Sequence, residues 1–221
     1  MIKRDKMGLK GCVKWTVFHH NEKGLLKLKE LKNLLIEGKI TTEERDKKRQ
    51  VILENPLYSE VKERKLTFID KLRNKSPLMG GVNYNIVTNE GDAMMADIMT
   101  QTPVQIKVDN TNGHIEVGTG FTSEVKTVLS CAIPTGNPEV MDATYPKLKG
   151  TFGNADDNVT QYRATFEVGD LNDTGIDEAA LLNNSSAGSA ECLAYAEISP
   201  AVDVSTSDTL QADWELTILG A

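Results

Sequence analysis

Basic side chains almost vanish from the last two thirds of this chain. Residues 76–221 carry five of the 25 Lys and Arg but 21 of the 32 Asp and Glu, a formal balance of −16. Residues 1–75 hold the other 20 bases against 11 acids, a balance of +9. No stretch of 18 apolar residues occurs, which excludes a membrane-spanning helix of ordinary length. The start, Met1-Ile2-Lys3-Arg4-Asp5-Lys6, is charged and no apolar run of signal-peptide length follows it, so the expectation is a protein made and used in cytoplasm. Cys12, Cys131 and Cys192 are too widely spaced for a zinc or redox motif and read as small core residues.

Chemistry-bearing patterns are equally sparse. His19-His20 would point to opposite faces of a strand, which makes a shared metal ion difficult. No Gly-x-Ser-x-Gly elbow is present, and Gly118-Thr-Gly120 lacks both the third glycine and the βαβ setting of a dinucleotide site. Asp170-Leu-Asn-Asp-Thr-Gly175 opens like a calcium loop, but its twelfth position is Leu181 where a bidentate Glu is needed. Asp156-Asp157-Asn158 is a second oxygen-rich turn. A hydrated turn is preferred over a structural Ca²⁺ in both places. The cluster Arg45-Asp-Lys-Lys-Arg49 has no interleaved aromatic to stack a base, and Glu37, Glu43, Glu44 and Glu54 accompany it. That argues against nucleic acid and for a solvated or protein-binding face. The expectation is a non-enzymatic protein without cofactor or metal.

What is present divides the chain in three: residues 1–24, the first strand or strands of a β domain; residues 25–75, an inserted basic helical hairpin or arm; and residues 76–221, an acidic β body. Val13, Trp15 and Val17 alternate as one face of a strand. Leu28, Leu31 and Leu35 then form a helical stripe, with Gly38 a C-terminal stop and Thr41-Thr-Glu-Glu44 a capping box for a second helix ending before Asn55-Pro56. A third helix is expected from Ser59, turning Val61, Phe68 and Leu72 inward. Being short, the insert should pack on a neighbour or extend as an arm. Val82–Val87 reads as the next strand. Asn89-Glu-Gly-Asp92 opens a short helix through Met94, Met95, Ile98 and Met99, a plug or lid over a sheet edge. Short strands are expected at Val104–Val108 and His114–Val117, a helical crossing at Ser123–Leu129, and an irregular loop over 134–158. The strongest alternation is Tyr162, Ala164, Phe166 and Val168, then Leu210, Ala212, Trp214, Leu216 and Ile218, with strands at Ile176–Leu182 and Cys192–Ile198 between. One-sided wetting of this kind predicts a mainly β protein: an antiparallel β-sandwich, jelly-roll-like, with an inserted α-helical arm near the N-terminus.

Residues 28–53 resemble the short helical hairpins called SHOCT domains. A broader resemblance rests on Trp15 in the first strand, Asn85-Ile-Val-Thr-Asn-Glu-Gly91, Glu116-Val-Gly-Thr-Gly120, Thr174-Gly-Ile-Asp-Glu-Ala-Ala-Leu-Leu-Asn183, Cys192-Leu-Ala-Tyr-Ala196 and Ser207-Asp-Thr-Leu-Gln-Ala-Asp-Trp214. Together these resemble small virion structural proteins of tailed bacteriophages, with Ala180 and Leu182 standing where that pattern has Gly and Phe. The resemblance implies a structural component of the particle that binds neighbouring subunits on the capsid surface (decoration or cement) or at the tail or collar. Its partners would be other virion proteins and further copies of itself, without membrane, and its location the virion, assembled in the host cytoplasm. The expected contact residues are Leu35, Phe68 and Leu72 for apolar adhesion and Arg45, Lys47, Lys48 and Arg49 for steering. The alternatives are a carbohydrate- or receptor-binding module of a fibre or baseplate, which would need exposed aromatics, and a small hydrolase with unfamiliar motifs.

Overall fold

The computed structural model describes residues 8–63, 82–186 and 191–219. In chain order the elements are β1 (Gly8–His20), α1 (Glu22–Ile36), α2 (Thr42–Leu53), β2 (Ser59–Val61), β3 (Val82–Val87), α3 (Asn89–Ile98), β4 (His114–Gly118), β5 (Pro134–Val140), β6 (Lys147–Leu148), β7 (Val159–Phe166), β8 (Asp173–Leu182), β9 (Cys192–Val204) and β10 (Asp208–Leu219).

All strands join one antiparallel sheet in the order β5-β4-β8-β9-β3-β1-β10-β7-β6, with β2 pairing β1 beyond β3. The longest pairing sets β1 against the C-terminal β10, from Gly8 opposite Leu219 to His19 opposite Asp208. The sheet curls until its ends touch: Met141, just after β5, bridges Ala164 of β7, and the Asp142 amide donates to the Arg163 carbonyl at 2.8 Å. Curling lets one sheet cover both sides of its own core. Val13, Trp15, Val17, Tyr162, Phe166, Ile176, Leu181, Leu210, Trp214 and Leu216 all point into that interior. Trp15 and Trp214, fully buried, meet edge to face with centroids 6.4 Å apart.

The helix pair sits between β1 and β2. Asn21 caps α1 by accepting from the Gly24 amide, and Gly38 at φ +67° takes the left-handed turn that ends it. Thr41 and Glu44 form the reciprocal capping box of α2. Both ends of the helix pair are tied down: the Asn21 amide donates to the Tyr58 carbonyl, and β2 pairs with the end of β1. The helix pair therefore lies on the outer face of its own sheet, where the expectation was packing on a neighbour or extension as an arm. α3 carries Met94 into the core and Met95 against it, caps its own start with Thr88, and packs along β9.

Several expectations are corrected. Ser59–Val61 is a strand, because pairing with Phe18–His20 satisfies its backbone better than a helix start there could; Phe68 and Leu72 lie outside the described residues. The supposed loop 134–158 contains β5 and β6. Neither Val104–Val108 nor Ser123–Leu129 forms regular structure. The first is tied as a turn by Asp97, whose carboxylate accepts from the Val104 and Gln105 amides. Thr165 and Gln211, on the opposite face of their strands from Phe166 and Leu210 where one-sided wetting predicts water, are buried beneath the helix pair, whereas Ile218 is exposed at the rim.

Candidate functional site

The helix pair presents two faces with different chemistry. Its inner face meets the sheet through charge. Arg49, 3% exposed, donates to Asp142 at 2.7 Å and to Glu167 at 3.0 Å, with Asp46 at 3.1 Å. Arg45 reaches Glu167 at 3.3 Å, the Asp46 carboxylate accepts from the Ala143 amide, and Gln211 donates to Gln50. Asp142 also accepts from the Thr165 hydroxyl at 2.8 Å. Burial works against the Arg49 charge, yet Asp142, Asp46 and Glu167 hold its pKa above the ordinary value. Burial raises the Asp142 pKa, and Arg49 opposes that rise. Beside this cluster lies Glu139, whose pKa is pushed up to about 8, first by burial and then by Asp170 and Glu167. A cavity of about 340 Å³ remains between helices and sheet, walled by Leu25, Leu28, Leu31 and Val168 and floored by Arg45, Arg49, Glu167 and Thr209.

The outer face is an open groove of about 450 Å³ between α1 and α2. Leu31, Leu34, Val51, Ile52 and Tyr58 line it, and Lys27, Glu30 and Lys48 stand at its rim. Val51 is 65% exposed, and Lys27 lies over the Tyr58 ring at 5.2 Å. The groove exists because α2 turns Arg49 toward the sheet, so Val51 two residues later faces outward beside Ile52, and no other described residue covers that apolar stripe.

The seven residues expected to make contacts thus separate. Arg45 and Arg49 face their own sheet. Lys47 and Lys48 are exposed, Lys47 pairing with Glu43 one turn earlier at 2.6 Å. Leu35 is half-buried on α1, and Phe68 and Leu72 fall outside the described residues.

Two further polar clusters escaped the sequence reading. His19 and His20 do point apart: His19 bonds Asp208 at 2.6 Å, while His20 is buried between Ser59 and Thr209, each at 2.8 Å. Ser59 donates to the Ile52 carbonyl, so it accepts from the imidazole and Thr209 donates to it. Burial lowers the His20 pKa to about 4. Asp208 is brought to about 2 against the pull of burial, by bonds from Ser205, His19 and Lys62. The second cluster is Glu178, fully buried, which accepts from the amides of Gly120, Ala132 and Ile133 and from the Tyr195 hydroxyl at 2.5 Å. Its neighbour Glu116 accepts from the Cys131 amide at 2.7 Å. These carboxylates clamp the 119–133 segment over the outer side of β8 and β9, where Phe121 stacks on Tyr195. An acid inside an apolar run, as in Ile115-Glu-Val117, was the available signal.

Among the described residues no group of three or more His, Cys, Asp or Glu is arranged to hold a metal ion. In the suspected calcium loop, Asp170 accepts from the Glu167 amide and Asp173 from the Thr135 hydroxyl. No protein family, curated protein or solved structure matches this chain.

Proposed function

We propose that this chain is a non-enzymatic structural component of a tailed-bacteriophage particle, adhering to neighbouring subunits on the capsid surface or at the tail or collar. One observation carries the reading: an apolar, lysine-rimmed groove faces outward on a helix pair that is itself bolted to the sheet by buried ion pairs. A rigid, pre-formed apolar surface lowers the ordering cost of association. The polar clusters that could be mistaken for chemistry act as tethers in this reading: His20 ties β1 to β2 and β10, and Glu178 ties down a loop. The segregated charge suits the same task, since opposite patches orient copies before they touch.

In this reading the curled sheet is a variant of the jelly-roll-like sandwich named from the sequence, with the helix pair as its adhesive face. The fibre-module alternative finds less support, because both Trp side chains are in the core. Mass-spectrometric stoichiometry of purified virions tests the proposal. Copy numbers on the order of hundreds fit the head surface and about six or twelve fit the tail; absence from the particle overturns it.

A further inference from the structure

The groove has a counterpart on the same molecule. The loop 150–158, between β6 and β7, carries Phe152 at 89% exposure and the acids Asp156 and Asp157. The loop is braced from within. The Gly150 amide donates to the Asp156 carbonyl, the Gly153 amide to the Asp157 carboxylate at 2.9 Å, and the Asn154 amide to the Thr151 carbonyl. Gly153 at φ +83° supplies the left-handed turn directly after the phenylalanine. An aromatic side chain held outward on a hydrogen-bonded loop loses little freedom when it is captured.

We infer that Phe152 of one copy seats in the α1–α2 groove of a second copy, with Asp156 and Asp157 meeting Lys27 and Lys48. The apolar parts match: Leu31, Leu34, Val51, Ile52 and Tyr58 offer a floor for a single ring. The charges match as well. Leaving out Arg45, Asp46 and Arg49, which face the sheet, the helix pair from Glu22 to Leu53 has seven Lys against five Glu, whereas residues 150–158 have two acids and no base.

A molecule cannot make this contact with itself. The loop precedes the Val159 end of β7, and the helix pair is anchored to Asp142 and Glu167 beside the Phe166 end. The eight residues between span roughly 25 Å. Two different patches at opposite ends of one chain make a head-to-tail contact, which closes into a ring or continues as a filament. One buried aromatic contributes ~150–250 Å², well below the ~1,200 Å² of a stable complex. Association in dilute solution is therefore weak and gains from many copies held together. This inference rests on the adhesive reading above and names the neighbour as the chain itself.

Sedimentation velocity on the full chain, over about a hundredfold concentration range reaching the millimolar, tests it. Wild type gives an average sedimentation coefficient that rises with concentration. Phe152→Ala and Val51→Asp each abolish the rise, with unchanged circular dichroism because both side chains are exposed. Mixing the two variants restores dimers and nothing larger, since each retains one intact half of the contact. A concentration-independent wild type, a Phe152→Ala protein that assembles like wild type, or a mixture that stays monomeric overturns the inference. The particle experiment separates the two readings. A monomeric chain found stoichiometrically on virions ends the Phe152 contact alone. Phe152-dependent oligomers of a chain missing from virions end the virion reading alone.

Discussion

Arg49 shows how far a residue's role depends on the turn of helix beneath it. Two residues away from exposed Lys47, it sits almost without water among Asp46, Asp142 and Glu167. Removing one partner of a buried pair leaves the other charge uncompensated, at about 3–5 kcal/mol. Arg49→Met should therefore lose stability of that order in urea unfolding, and adding Asp142→Asn should recover part of it. Glu139 makes a pH prediction with the opposite feel. Its pKa is raised from an ordinary 4.5 to about 8 in the folded chain, so the folded state holds a proton the unfolded state has released. Its contribution is full below pH 4.5 and is lost as pH rises through 8. His20, lowered from 6.5 to about 4, works the other way, losing its contribution as pH falls from 6.5 to 4. The two oppose each other between 4.5 and 6.5. Above 6.5 Glu139 acts alone of the pair, so the thermal midpoint should decline toward pH 8 and Glu139→Gln should flatten that decline. An unchanged slope in the variant would refute the assignment.

At the scale of elements, the helix pair and the 119–133 segment solve one problem in two ways. Each covers an outer face of the sheet, and each is held by charge as well as by apolar contact. Glu178 satisfies three backbone amides of a segment that has no regular structure of its own. Glu178→Ala strips those amides and the Tyr195 hydroxyl of their acceptor while leaving them buried, a loss of several times the ~1 kcal/mol of one ordinary bond. Hydrogen exchange should then accelerate across residues 120–133 and stay near wild-type values in β1 and β10. Uniform acceleration through the whole sheet would contradict a local clamp.

For the whole molecule, the long-range field and the short-range fit should be separable. Lys47 and Lys48 stand clear of the sheet, so reversing both to Glu should lower the thermal midpoint only slightly, through the lost i,i+4 pairing with Glu43. In the adhesive reading, particle occupancy should fall and become less sensitive to salt, because exposed charges are screened over about 10 Å at 0.1 M ionic strength. Equal occupancy at low and high salt for both proteins would remove the electrostatic part of the proposal.

The sequence by itself determined the elements whose signals are local. The capping box at Thr41 and Glu44, the stop at Gly38, and the alternation from Tyr162 to Phe166 and from Leu210 to Leu216 need no partner to be read, because caps and two-residue periodicity are properties of neighbouring residues. It also indicated the opposite faces of His19 and His20. Short β5, hidden among prolines, was illegible because its pairing with β4 is contributed by residues about twenty positions away. Burial of Thr165, Gln211 and Arg49 was decided only in three dimensions, since their polar pattern is that of a wet face until a helix pair lands on it. The groove and the outward Phe152 belong to the same class: exposure is a relation between distant parts of a fold, and no spacing in the chain encodes it directly.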